Sequence, residues 1–154
     1  MTYDMQGKFL STIKKVEDYK KLPESVLTKP IKENKWPIRE IIGHLFYWDK
    51  YNLENMVPEM TNQAILPSFP NHDSYNADAI NYINRFESAE KVIEAFVITR
   101  KELTSKLRNI NANITFSIQG EPKIFNINSF VEIFLEHDLH HLNQIEVFLE
   151  QNQL

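Results

Sequence analysis

Along four separate stretches of this chain apolar residues recur at steps of three and four, and prolines or polar segments stand between the stretches. A period near 3.6 residues gives one apolar stripe on a helix and no consistent face on a strand, so each stretch predicts an amphipathic helix. The first, roughly Tyr3 to Leu22, places Met5, Phe9, Ile13 and Val16 on one side and is stopped by Pro23. The second opens at Trp36-Pro37, where a proline in the first helical position needs no N–H partner, and runs from Pro37 to about Met56 before Pro58. Ser88 is a candidate N-cap for the third, which turns Val92, Phe96, Leu103 and Leu107 inward with Thr99 between them. The fourth starts at Ser129-Phe130-Val131-Glu132, which matches a capping box, and continues to about Gln151.

The remaining segments are shorter. Pro67 and Pro70 mark a long loop, followed by a short helical pattern from Asn76 to Phe86 through Ala79, Ile80 and Ile83. Ile110 to Ile127 alternates weakly around Gly120-Glu121-Pro122, compatible with a short hairpin or an irregular crossover. A chain of 154 residues suits one domain, here 1–154. The expected fold class is all-α: a four-helix bundle with a long crossover, an additional short helix and no convincing sheet.

Composition removes several functions. Lys plus Arg number 17 against 21 Asp plus Glu, a net charge of −4 that offers no broad cationic surface to phosphates, so nucleic acid is not the expected partner. With no cysteine there is no thiolate nucleophile and no disulfide, and any metal must be held by His, Asp or Glu. Asp4, Gln6 and Lys8 interrupt the apolar core a signal peptide would need, and no 18-residue apolar run occurs, so the expected location is the cytoplasm with no membrane partner.

The fourth helix carries two inward seams. Ile127, Val131, Leu135, Leu142, Ile145 and Leu149 form one, interrupted by Asp138; Phe130, Phe134, His137, His141, Gln144 and Phe148 form the other. His137 and His141 are one turn apart, so their imidazoles can converge on a single ion. Such a pair can also be a solvated helix face, but two unpartnered imidazoles in a seam flanked by phenylalanines would be costly, and a metal removes that cost. His44 is embedded in the apolar run Ile41-Ile42-Gly43-His44-Leu45-Phe46-Tyr47-Trp48 of the second helix. Antiparallel packing of helices two and four would add it to the pair, giving three neutral nitrogen ligands and open positions for water. Glu40, one turn before His44, and Gln144, one turn beyond His141, are candidates to hold an imidazole tautomer or a bound water. Tyr47, Trp48 and Tyr51 are candidate pocket walls; His140 is a flank residue, and His72, in the proline loop, is structural or incidental.

Two motifs carry a family likeness. Trp36-Pro37-Ile38-Arg39-Glu40-Ile41-Ile42-Gly43-His44-Leu45 resembles the Trp-x-x-x-Glu/Gln-x-x-x-His-Leu opening of helix two in the DinB-like four-helix bundles. His137-Asp138-Leu139-His140-His141-Leu142-Asn143-Gln144-Ile145 resembles their His-x-x-x-His-x-x-Gln-Ile in the last helix. That family includes bacillithiol- and mycothiol-dependent transferases. The resemblance implies a DinB-like bundle in which His44, His137 and His141 ligate a metal. Leu142 and Asn143 stand where the family commonly has Arg-Gly, and Pro37 where it has Ser or Thr.

The leading expectation is a metal-dependent enzyme of thiol-transferase or hydrolase type, acting on a small molecule with a low-molecular-weight thiol or water as the activated group. The competing class is a non-catalytic, metal-stabilised or small-ligand-binding bundle. The expected cofactor is one divalent ion, zinc first, with nickel or iron also accepted by imidazole. Because imidazole ligates only when unprotonated, occupancy is expected to fall as pH drops through about 6. A homodimer is expected on two grounds: the family commonly pairs, and a monomer would struggle to cover Phe46, Trp48, Phe96 and Phe148.

Overall fold

Asp4 starts the first helix: its carboxylate accepts from the Gly7 N–H at 2.8 Å, and α1 (Met5–Asp18) follows, closing in a 3₁₀ turn, Tyr19–Lys21, ahead of Pro23. The computed structural model describes residues 4–154, so the expected start at Tyr3 lies outside the described residues. The connector forms one helical turn, α2 (Glu24–Leu27), from which the Glu24 carboxylate reaches the Ala89 N–H at 2.8 Å. α3 (Ile38–Tyr51) begins one residue later than expected, with Pro37 as its N-cap, and runs on through a π turn, Asn52–Met56, and a 3₁₀ turn, Val57–Glu59. α4 (His72–Ile83), capped by Asn71, starts four residues before the expected Asn76, so His72 is its first residue and not part of the preceding loop. α5 (Ala89–Arg108) is capped by Ser88 as expected.

Two elements differ from expectation. The cap of α6 (Ile127–Gln151) is Asn126: its side chain accepts from the Ser129 N–H at 2.8 Å, and the Ser129 hydroxyl accepts from the Asn126 N–H at 2.9 Å. Ser129 is thus the third helical residue of the box and not its cap, because Asn is as good a cap as Ser and lies where the chain is still extended. A sheet is also present. β1 (Ala64–Leu66) pairs in parallel with β2 (Phe116–Ile118), which pairs antiparallel with β3 (Ile124–Phe125) across the Gly120 turn. Gly120 has φ of 87°, a left-handed conformation that suits glycine. The sheet caps one end of the bundle, with Leu66, Phe116, Ile118 and Phe125 packed against α6 and its neighbours.

The four long helices pack in a ring, α1 against α5 and α6, and α3 against α5 and α6. Their core is in two parts. Ile13, Ile42, Phe96 and Ile145 belong to one, Phe9, Trp48, Leu103 and Phe130 to the other. Between them lies a charged layer that takes one residue from each helix. Arg100 of α5 is fully buried, with Nε and Nη2 on the two Asp49 oxygens of α3 at 2.6 and 3.0 Å. Its Nη1 donates to Asp138 of α6 at 2.7 Å, and to Thr12 of α1 at 2.7 Å. The guanidinium also lies 3.7 Å from the Phe9 ring centre. Arg100 occupies the inward position that the sequence pattern gave to Thr99, which is only half-buried. Burial raises the Asp138 carboxyl to about 6, with Arg100 working against the shift and Asp49 with it.

Phe46, Trp48, Phe96 and Phe148 are all buried within the single chain, so the need to cover them is no ground for a homodimer. Among the described residues no helix is long and apolar enough to cross a membrane.

Arg100→Met leaves two carboxylates buried without their counter-ion, and should cost roughly 3–5 kcal/mol in urea denaturation. Adding Asp49→Leu and Asp138→Leu should recover most of that loss. A single variant within 1 kcal/mol of wild type, on the order of an exposed pair, would show that the layer contributes no more than a surface salt bridge.

Candidate metal centre

His44 sits in the middle of α3, where its neighbours Ile41, Ile42 and Leu45 are all in the core, and it is 1% exposed. Its Nδ1 donates to the Ile41 carbonyl one turn back, at 2.5 Å. That contact makes Nε2 the nitrogen with the lone pair, and Nε2 is buried with no hydrogen-bond partner. From α6, His137 and His141 meet it. Ring centres are 5.1 Å apart for His44 and His137, 4.5 Å for His44 and His141, and 4.6 Å for His137 and His141. One ring nitrogen from each of the three lies within 4.8 Å of the others. His141 Nδ1 pairs with the Gln144 side-chain oxygen at 2.9 Å, which again leaves Nε2 as the free lone pair.

The fit to a metal can be judged from the donors themselves. An unpartnered, fully buried imidazole nitrogen is costly in an apolar core, and three neutral nitrogens facing one point match a divalent ion of the zinc type. Nothing else within the trio answers the open Nε2 of His44. The three residues named from the sequence are therefore brought together, and they fit the group.

Burial lowers the pKa of all three. For His44 burial dominates, helped by the positive charges His141 and His137 would carry. Burial, with His141, His72 and others, brings His137 down to about 4. His141 is lowered by burial against the pull of Gln144. The imidazoles thus stay neutral below the ordinary range, so proton competition with a metal sets in lower than the pH 6 expected from unperturbed histidine.

The other candidates divide. Gln144 contacts His141 directly, whereas Glu40 gives one oxygen to Arg39 at 2.9 Å and keeps the other buried without a partner. Arg39 in turn donates to the Ile83 carbonyl, fastening α4 to α3. Gly43 allows that docking, since a Cβ there would stand 2.5 Å from the Ile83 side chain. His140 is an exposed flank residue, as expected, its ring 5.1 Å from that of His141. Tyr47 packs at a tilt against Tyr75 and Tyr82, and Tyr51 donates to the Ser68 carbonyl; of the expected walls Trp48 borders a cavity beside a histidine. Of the two readings of His72 the packing favours the structural one: its ring lies 5.3 Å from Trp48, and the two line that cavity with His137. Leu142 is in the core and Asn143 is exposed in the groove between α1 and α6, so neither enters the centre.

Two cavities reach the trio. One of about 250 Å³ is lined by Trp36, Ile41, His141 and Gln144 with the exposed Asn34 and Lys35. A smaller one, about 100 Å³, ends on His137. Trp36, missed as a wall by sequence reasoning, stands 4.9 Å from the His44 ring. The larger grooves, of about 680 and 490 Å³, border α1 and touch no histidine.

The fold and the trio define a class: a helical bundle with a three-histidine cluster between two of its long helices. Residues 16–145 match the DinB superfamily, and the chain belongs to it. Among solved structures it is similar to YfiT from Bacillus subtilis, described as a probable metal-dependent hydrolase with an unusual four-helix bundle topology. The likeness has a TM-score of 0.65 at 14% identity over 99% of this chain and 90% of that one, and establishes a shared fold. No curated protein matches the chain.

Because the folded pKa values lie below the ordinary 6.5, the unfolded chain takes up protons that the folded chain refuses. This part of stability is complete above pH 6.5 and is lost as pH falls toward 4, at up to about 1.4 kcal/mol per pH unit for each histidine held neutral. In metal-free protein, urea midpoints measured from pH 7 to pH 4.5 should fall less steeply for His137→Phe than for wild type. Parallel profiles would mean that His137 is protonated as readily folded as unfolded.

Proposed function

We propose that the chain is a metal-dependent enzyme, of hydrolase or thiol-transferase type, whose ion is held by His44, His137 and His141. The observation that carries this reading is the buried, unpartnered Nε2 of His44 facing two further imidazoles. When bound, a divalent ion on three neutral nitrogens supplies a Lewis acid that draws the pKa of a water or small thiol toward neutrality.

The chain's own groups set the conditions for that chemistry. The Ile41 carbonyl and the Gln144 amide fix two imidazoles in the tautomer that offers Nε2. Trp36 lines the cavity that reaches His141 and Phe134 the one that ends on His137, and both rings limit water there. Glu40, with one carboxylate oxygen buried and unpartnered a turn before His44, is the group assigned to receive a proton released at the site. The substrate in this reading is an electrophilic small molecule, because both cavities adjoining the histidines are small. Zinc is the first choice of metal, and nickel and iron also accept imidazole nitrogen.

Elemental analysis of protein purified without an affinity tag should find one divalent ion per chain. His44→Ala, His137→Ala and His141→Ala should each lose it, while His140→Ala and His72→Ala keep it. Gln144→Leu, which removes only the partner of His141, should weaken the metal roughly 10–100-fold. Turnover of a chromogenic electrophile, assayed with low-molecular-weight thiols and with water alone, should disappear in His44→Ala. Stoichiometric metal in His137→Ala would overturn the ligand set. Full metal with background rates under every condition would favour a binding module over an enzyme.

A further inference from the structure

The smaller cavity is built differently from the rest of the surface. Trp48, Phe69 and Phe134 stand around it as a triangle, with ring centres 5.8 to 6.5 Å apart. Ile133 completes the apolar wall, and His137 of the trio closes one end. At the other side α4 brings two polar groups, His72 and Asn76. The Trp48 N–H donates to the Asn76 oxygen at 3.0 Å, which fixes the amide and leaves its NH₂ as the group able to donate to a ligand. No acid, lysine or arginine lines the space, so a charged substituent placed there would be buried without a counter-ion.

Size narrows the occupant further. The cavity holds about 100 Å³. Liquid water takes roughly 30 Å³ per molecule and an engineered cavity of about 150 Å³ takes benzene, so there is room for about three or four non-hydrogen atoms and too little for a phenyl ring.

We propose that this cavity is the specificity pocket of the histidine centre, and that it selects small molecules whose reacting polar group is joined to a compact, uncharged alkyl group of three or four carbons. The alkyl group lies among Trp48, Phe69, Phe134 and Ile133, and the polar group is set between His137 and the Asn76 amide. This rests on reading the trio as a metal centre, and the test separates the two.

Hydroxamic acids are suitable probes, because one end ligates a metal and the other is varied freely. In zinc-loaded protein, calorimetry should show isovalerohydroxamic acid binding at least tenfold more tightly than acetohydroxamic acid, with benzohydroxamic acid gaining nothing over the latter. Ile133 is half-buried. Ile133→Trp, which fills the cavity, should erase the tenfold preference at unchanged zinc affinity, and Ile133→Ala, which enlarges it, should shift the preference to benzohydroxamic acid. Equal affinities for the three probes in zinc-loaded wild type, or a preference that both variants leave intact, would overturn the pocket while the metal reading stands. Zinc binding is measured first and without probe. If wild type takes up neither zinc nor nickel nor iron(II), the metal reading fails and the pocket is judged with 3-methyl-1-butanol and metal-free protein by NMR. Shifts at Trp48 and Ile133 that vanish in Ile133→Trp would then support the pocket, and their absence would overturn it.

Discussion

Arg100 determines how the four long helices meet. Its side chain is buried, charged and held by five hydrogen bonds, and those bonds reach a residue on each of the other three helices: Thr12 and the Phe9 carbonyl, Asp49, and Asp138. An apolar core tolerates sliding of one helix along another because Leu and Ile contacts are alike in most directions. A buried guanidinium does not, since displacement by one turn would leave ions unpaired in the core, at a cost of several kcal/mol. The layer therefore fixes axial register, and it divides the core into two parts at the same height.

The histidine cluster inherits that register. His137 adjoins Asp138 in sequence, and His44 lies five residues before Asp49, so the ion pairs that align α3 with α6 also set the heights at which their imidazoles meet. The charged layer and the neutral trio are two polar zones in one core with opposite solutions. In the first, each guanidinium nitrogen of Arg100 finds an acceptor within the chain; in the second, a lone pair is left open at a point that two further imidazoles share. The docking of α4 at Gly43 then places His72 and Asn76 over Trp48, turning the bare crossing of α3 and α6 into a site with walls.

Much of this was legible in the residues. The four helices follow from apolar steps of three and four, because burying one stripe leaves little freedom in how such a stretch can fold. His137 and His141 stood out as polar residues in an apolar seam, and His44 as a polar residue in an apolar run. Asp138 carried the same signal, yet its meaning was not legible: an inward acid is explained only by the distant Arg100, 38 positions away. The strand Ala64–Leu66 is three residues long and pairs with a segment more than fifty positions on, so no local period reveals it. The sequence pattern puts the capping box three residues late because Asn126 and Ser129 are both good caps, and only the backbone shows which one precedes the first helical residue.

What occupies the point between the three imidazoles decides whether this chain is a metal protein. Crystals of untagged protein, measured above and below the absorption edge of the metal found by elemental analysis, give that answer directly. The expected result is a single anomalous peak per chain at about 2.0–2.1 Å from one nitrogen each of His44, His137 and His141, the bond length for zinc and imidazole. A peak held by other residues, or three well-ordered imidazoles with no peak among them after growth in excess zinc, would contradict it.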